Sequence, residues 1–271
     1  MKYSVVIPMY NSEKTIESTI QSVVRQTRYD LIEEIIVVDD GSTDKSSEIV
    51  QLLSLCNPII KYIRQENKGA AAARNNGIRV AKEDMIALLD SDDIWDEKKI
   101  AVQESVLNKY QNIRAIGSNR TGEEIHLGIQ KGSDIYRISP LLYCIKCWPC
   151  TPSLIFDKKV FVDGNYFPED MTHAEEGLFF LKLASECGLY YINEPLVTCG
   201  GGKRAFGDSG LSGNVDKMHI GVKEMIKRAG KNRYISPFLI PFLIFYEDIK
   251  YCRRKIIIYL SQKKTKRNEN N

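Results

Sequence analysis

The sequence predicts an α/β domain, a mostly parallel sheet flanked by helices, followed by a helical C-terminal segment. Three observations carry that expectation. Short Val- and Ile-rich runs alternate with stretches of helical periodicity through the first ninety or so residues. The run Met85–Leu89 is apolar without interruption, as suits a strand covered on both faces. It ends abruptly in Asp90-Ser91-Asp92-Asp93, three carboxylates at the strand end where open α/β sheets bind ligands. Strands and helices alternating in this way build a Rossmann-type sheet with right-handed crossovers.

Length and composition narrow the class. At 271 residues, 43% hydrophobic and 27% charged, the chain is expected to form one large domain with an appendage. An apolar strand begins at once at Tyr3, so no secretory signal is expected. Seven irregularly spaced cysteines fit reduced cytosolic thiols better than a disulfide framework. The net charge of +3 is unevenly spread: residues 249–271 hold eight Lys/Arg and one acid, the rest 30 Lys/Arg against 34 acids. A near-neutral body with a basic tail argues against broad nucleic-acid binding.

Tyr3–Ile7 is the first expected strand, with Pro8 ending it. Asn11 or Ser12 can cap a helix whose apolar residues are Ile16, Ile20, Val23 and Val24. Glu34–Val38 is the second strand, and the turn Asp39-Asp40-Gly41-Ser42-Thr43-Asp44 leads into a helix carrying Ile49, Val50, Leu52 and Leu53. Asp39 and Asp40 can accept from a nucleobase N–H or a ribose hydroxyl, although a plain Asp-Gly turn fits as well. An aspartyl phosphatase is excluded because Val38 stands where its nucleophile would be.

Ile59–Ile63 is the third strand and Ala70–Ala81 the next helix. Its alanines permit a close approach, by a ligand or simply by packing. Lys68 and Gly69 precede a helix N-terminus that favours an anion. Arg74 can reach a phosphate or pair with a strand-end acid. Asp90, Asp92 and Asp93 offer hard oxygens suited to Mg²⁺ or Mn²⁺ together with substrate phosphates. Alternatively, Asp92 or Asp93 caps a helix after Asp96.

In order and spacing, VVIPMYN, VVDDGSTD, NKGAAAARNNG and LLDSDD resemble the N-terminal half of glycosyltransferase family 2, with its GT-A fold. The likeness is close over residues 3–95 and weaker to about residue 200. It implies a UDP-, dTDP- or GDP-linked sugar donor and a Mg²⁺ or Mn²⁺ ion bridging its diphosphate. Carried over block by block, Pro8, Tyr10, Asn11 and Glu13 lie in the nucleotide-binding stretch and Asp40 faces the base. Arg74 supports the nucleotide, while Asp90, Asp92 and Asp93, the DXD motif, hold ribose, metal and diphosphate. Asp39 and Lys68 join the expected donor-binding set by their positions.

In the second half, Ala115–Ser118 reads as a strand and residues 119–150 as acceptor contacts. Cys144, Cys147 and Cys150 lack a fourth soft ligand, so structural zinc is not expected. Trp148 suits either a sugar ring or the core. A helix from Ala174 opens with Glu175 and Glu176, which can complement its dipole by ~0.3–1 kcal/mol. The resemblance puts Glu176 at the family's catalytic base, with Glu where Asp is usual, and leaves Glu175 a candidate. Glu194-Pro195-Leu196 ends the last strand pair. Residues 200–213 contain six glycines with Lys203 and Arg204, suiting a lid over a diphosphate or a solvated loop. The Gln-x-x-Arg-Trp motif of processive synthases is absent.

Residues 235–246 are uncharged but interrupted by Pro237 and Pro241, and too short for the ~20 residues that span a bilayer. With the cations after Ile249, they suit contact with an anionic membrane surface. A helix here would place Ile249, Cys252, Ile256 and Tyr259 on one face.

The resulting expectation is a nucleotide-sugar-binding half at 1–118, an acceptor-binding and catalytic-base half of the same domain at 119–215, and a basic helical segment at 216–271. The function expected is an inverting, single-sugar glycosyltransferase acting on a glycan or lipid-linked glycan in cell-envelope polysaccharide synthesis. It would be cytoplasmic, peripheral on the inner face of the plasma membrane, with no nucleic-acid partner. The alternative is a non-catalytic nucleotide-sugar-binding protein, favoured only by Glu in place of Asp.

Overall fold

The computed structural model describes residues 1–122, 135–200 and 214–269. Its first half runs β1 (Tyr3–Met9), α1 (Ile16–Val24), β2 (Ile32–Asp39), α2 (Ser46–Cys56), β3 (Ile60–Arg64), α3 (Ala70–Val80) and β4 (Met85–Leu88). After the acidic turn come β5 (Ile94–Trp95), α4 (Lys99–Lys109), β6 (Ala115–Arg120), β7 (Ile135–Ile138), α5 (Pro140–Lys146) and β8 (Ile155–Asp157). The chain closes with α6 (Glu175–Glu186), β9 (Leu189–Thr198), α7 (Val215–Lys231) and α8 (Ile240–Glu269).

The strands form one sheet in the order β3-β2-β1-β4-β8-β6-β9-β5, with β7 beside β9. The first four are parallel, as expected. Beyond them the sheet is mixed: β8 joins β4 and β6 antiparallel, and β6 pairs with β9 parallel. Alternation along the parallel strands feeds two cores. Val6, Ile36, Val38 and Leu88 pack with α3, α6 and α7, whereas Val5, Ile7, Ile35 and Val37 pack with α1, α2 and α4. Helix α3 lies very close to the sheet, since a Cβ on Gly77 would meet Val6 Cγ1 at 2.5 Å.

Three local expectations are corrected. Pro8 does not end β1. Val6 turns its carbonyl to β4, accepting from Leu89 N at 3.1 Å, and Met9 turns its own to β2, accepting from Asp40 N at 2.8 Å. Alternation therefore aims the Pro8 nitrogen past the end of β4, where no donor is needed. Neither Asn11 nor Ser12 caps α1. Asn11 takes a left-handed φ of 47°, and its Oδ1 accepts from Thr43 N at 2.9 Å. Nor do Asp92 and Asp93 cap a helix, because β5 intervenes and Asp96 Oδ1 accepts from Lys98 N before α4.

Residues 235–246 are not a separate peripheral run. Ile235 and Leu243 are buried in the core, while Phe238, Phe242 and Phe245 are exposed. Pro237 and Pro241 begin helical turns, where a missing N–H costs nothing. Helix α8 packs along α7, and its buried Glu247 lies within 3.2 Å of Lys250 and 3.0 Å of Arg254. Among the described residues no helix is long and apolar enough to cross a membrane. Trp148 stacks on Tyr191, ring centroids 6.3 Å apart, against the core.

Candidate active site

The ends of β1, β2 and β4, the start of α3 and the first turn of α6 border one open cleft of about 800 Å³. Of the residues singled out in the sequence, Pro8, Tyr10, Asn11, Glu13, Asp40, Arg74, Asp90, Asp92, Glu175 and Glu176 line it. Five segments far apart in sequence thus converge where a parallel sheet leaves its strand ends.

The loop after β1 is built to hold its shape. Asn11 N donates to Ser42 Oγ at 3.0 Å and Glu13 N to Asp44 Oδ2 at 3.0 Å, tying the loops after β1 and β2 together. Ser12 Oγ lies 2.7 Å from Ser91 Oγ, joining the first loop to the acidic turn. Ser12, Asp44 and Ser91 all line the cleft, and none of them is among the site residues expected from the sequence. The acid–hydroxyl spacing in DDGSTD and DSDD was the available signal.

Asp39 and Asp40 part ways. Asp39 is fully buried, and its carboxylate accepts from Ser42 N at 2.8 Å, Tyr62 Oη at 2.6 Å and Arg64 Nη1 at 3.2 Å. It shapes the turn and does not line the cleft. Asp40 does, with Oδ1 accepting from Lys68 N and Gln65 Nε2 and, among the described residues, Oδ2 accepting from Gly69 N alone at 2.8 Å. A carboxylate oxygen has two acceptor sites, so Oδ2 keeps one for a ligand N–H. Lys68 takes part through its backbone; its side chain is exposed outside the cleft lining.

Arg74 stands at the centre. It is buried, Nη2 donates to Asp90 Oδ1 at 2.8 Å, Nη1 lies 3.6 Å from Glu175 Oε1, and its guanidinium covers Phe167 at 5.3 Å. Burial penalises its charge, but Asp90, Glu176 and Glu175 outweigh that and hold its pKa above the ordinary value. Among the described residues its Nε and Nη1 find no hydrogen-bond partner, and both atoms are closed to solvent, so the guanidinium reaches the cleft through its charge and the acids it holds.

The two acids of α6 are aimed by a left-handed residue. Ala174, immediately before the helix, has φ 58°. Glu175 is buried against Arg74, while Glu176 remains partly accessible in the cleft. Desolvation, and next the Glu175 carboxylate, push the Glu176 carboxyl up to about 8, with Arg74 opposing. His173 also borders the cleft.

The three strand-end aspartates do not act as one cluster. Asp90 and Asp92 line the cleft, but Asp93 is buried and accepts from Gly200 N at 2.6 Å. Burial, then the charges of Asp90 and Asp92, raise its pKa to about 8. Among the described residues, no group of three or more His, Cys, Asp or Glu converges to hold a metal. The donor set nevertheless fits Mg²⁺ or Mn²⁺ held in part by a ligand, since such ions take one or two protein carboxylates plus phosphates. Asp90 and Asp92 are the strand-end carboxylates that border the cleft and would hold such an ion. Lys203 and Arg204 lie outside the described residues.

Comparison with known proteins agrees with this geometry. The model of the family described as Glycosyl transferase family 2 matches residues 4–144. An uncharacterized glycosyltransferase of Rickettsia felis is 31% identical over 90% of this chain but only 39% of its own length. The chain thus spans about two-fifths of the first curated relatives it matches. Glycosyltransferase GlyG of Streptococcus pneumoniae serotype 4 is 32% identical over 71% of this chain and 68% of that protein. The Escherichia coli UDP-Glc:alpha-D-GlcNAc-diphosphoundecaprenol beta-1,3-glucosyltransferase WfgD is 38% identical over 43% of this chain and 47% of its own. Among solved structures, S. aureus TarS 1-349 in complex with UDP-GlcNAc superposes with a TM-score of 0.67 at 20% identity, covering 85% of this chain and 67% of that one. The mannosyltransferase PcManGT from Pyrobaculum calidifontis, in complex with GDP-Man and Mn2+, gives 0.65 at 18% identity over 92% and 73%. These two share the fold. The extent of the family match and of the GlyG alignment show that this chain belongs to glycosyltransferase family 2.

Proposed function

We propose that the chain transfers a single sugar from a nucleotide-diphosphate donor to a hydroxyl of a glycan or lipid-linked glycan, with inversion at the anomeric carbon. The observation that carries this reading is the buried Arg74, which joins Asp90 of the strand-end turn to Glu175 of α6 and holds a positive charge at the cleft wall. Pro8, Tyr10, Asn11, Glu13 and Asp40 hold the nucleotide, with residues 1–118 as the donor half and 119–215 as the acceptor half. Asp92 and Asp90 would hold a divalent ion, which when bound would supply charge neutralisation for a diphosphate leaving group. Lys203 and Arg204 add to that neutralisation; in sequence they lie three and four residues beyond the Gly200 N–H that Asp93 accepts.

Glu176 takes the proton of the acceptor hydroxyl as its oxygen forms a bond to the anomeric carbon. The bond from that carbon to the diphosphate oxygen breaks, and the nucleoside diphosphate leaves with the electron pair. A carboxyl whose pKa is pushed up to about 8 is a stronger base than an ordinary carboxylate and suits that step. WfgD, named for a diphosphoundecaprenol acceptor, supports a lipid-linked acceptor and cell-envelope polysaccharide synthesis on the inner face of the membrane. The basic tail adds attraction to anionic lipid, ~1 kcal/mol per cation near the surface. Lys250, Arg254 and Lys255 are already paired with Glu247 and Asp216, which leaves this role largely to the cations beyond residue 260.

A thermal-shift series with UDP-, dTDP- and GDP-sugars, with and without Mn²⁺, tests donor binding, because a ligand of the native state raises the melting temperature. No shift with any donor sinks the reading. Binding without release of nucleoside diphosphate to any acceptor instead supports a non-catalytic nucleotide-sugar-binding protein.

A further inference from the structure

We infer that α8 carries the pairing seam of a parallel, two-fold dimer of this chain. Phe242, Phe245, Ile249, Cys252, Ile256 and Tyr259 are all exposed, although five of the six are large and apolar; Ile249 is 52% and Ile256 58% accessible. They recur at intervals of three, four, three, four and three residues. A strict three–four alternation is the signature of a two-helix seam, narrower than the stripe of a helix that packs on a globular core. The core side of α8 is separate and already filled by Leu243 and Glu247 against α7.

The seam also fixes orientation. Ile249 and Ile256 take the positions where β-branched residues favour parallel two-stranded pairs. Asp248, just before Ile249, lies on one rim of the apolar groove, and Arg253, just after Cys252, lies on the other. In a parallel pair the residue before one seam position faces the partner residue five places on. Asp248 of one copy therefore meets Arg253 of its partner, and the two-fold axis repeats the contact. Asp248 Oδ1 is engaged by Lys223 at 2.9 Å and His219 at 3.1 Å, which leaves Oδ2 for that pair. An anionic lipid surface is a poorer occupant of this groove, because it would repel Asp248.

Sedimentation equilibrium of the full chain at micromolar concentration should give a dimer. Ile249→Glu should weaken it ~30-fold or more by placing two charges in the seam, while the melting temperature of the chain diluted to monomer stays unchanged because Ile249 lies outside the core. Asp248→Arg and Arg253→Asp should each fail to self-associate yet pair with one another when mixed. Air oxidation catalysed by copper–phenanthroline should join two Cys252 thiols into a disulfide, dioxygen taking up the two electrons and two protons, and Cys252→Ser should lose that product. A monomeric wild-type chain, or a dimer indifferent to Ile249→Glu, overturns the assignment. So does a monomer whose binding to phosphatidylserine vesicles is lost in Ile249→Glu, since lipid would then occupy the face. Complementary charge variants that fail to pair overturn the parallel register.

Discussion

Arg74 Nη2 donates to Asp90 Oδ1 at 2.8 Å, and this one contact couples the start of helix α3 to the acidic turn after β4. The same guanidinium faces Glu175, so the donor-side and acid-side walls of the cleft share a single buried charge.

Removing that charge should cost both stability and binding. Arg74→Ala leaves Asp90, Glu175 and Glu176 without their cation, and breaking a buried pair of this kind costs ~3–5 kcal/mol. Chemical denaturation should show the loss, and calorimetric titration with UDP or GDP should show weakened affinity. Arg74→Lys keeps a point charge but not the fork, so it should recover stability more than affinity. Equal recovery of both would argue against a role for the guanidinium fork in ligand binding.

Glu176 should govern the pH profile of transfer. Its carboxyl, raised to about 8, is largely protonated at neutral pH, so the rate should climb as pH rises through 8 and then level. Glu176→Gln should lower transfer ~10²–10⁴-fold, keep donor affinity and abolish the climb. Because Arg74 lowers this pKa, Arg74→Lys should move the climb only slightly and Arg74→Ala should move it upward. A loss of transfer in Glu175→Gln alone would shift the base by one residue.

Asp92 and Asp93 should behave differently despite being neighbours. Asp92→Ala should remove the Mn²⁺-dependent part of nucleotide affinity. Asp93→Asn keeps an acceptor for Gly200 N but removes a buried charge. A carboxyl whose folded pKa is raised opposes folding increasingly as pH climbs from its unfolded value toward 8, so the gain in melting temperature from Asp93→Asn should grow up to about pH 8 and hold its full size above it. Melting curves below and above that pH decide it.

Ending the chain at Arg233 should destabilise the fold. It removes Ile235 and Leu243 from the core, and loss of one buried Leu side chain alone costs ~2–5 kcal/mol. A truncated chain that melts at the full chain's temperature would show that α8 is not part of the domain.

The first half of the fold was legible because its signals are local. Each parallel strand is an apolar run, and each crossover helix repeats its apolar residues at helical spacing. The second half depends on antiparallel partners far apart in sequence, such as Ala115 beside Phe156 and Ile116 beside both Ile155 and Tyr190. Helix α4 was expected only as a helix after Asp96, and its burial was not legible: Lys99 is fully buried, its Nζ donates to Gln103 Oε1 at 2.7 Å and sits 4.1 Å over the Trp95 ring. Desolvation depresses that lysine's pKa, and nothing local in the sequence marks it as interior. The site was legible as a set of acids but not as directions. Asp39 and Asp40 are adjacent, yet one is locked in the turn and the other faces the cleft, because successive strand-end side chains point to opposite sides.

Ala174 turns that geometry into a trade. A left-handed alanine costs about 1 kcal/mol that glycine would not, so Ala174→Gly is a substitution that relieves strain in the folded chain. The same relief frees the joint from which Glu175 and Glu176 are aimed. A sturdier protein with a slower, less selective active site is the outcome that exchange implies, and directed selection for heat tolerance alone would be drawn toward it.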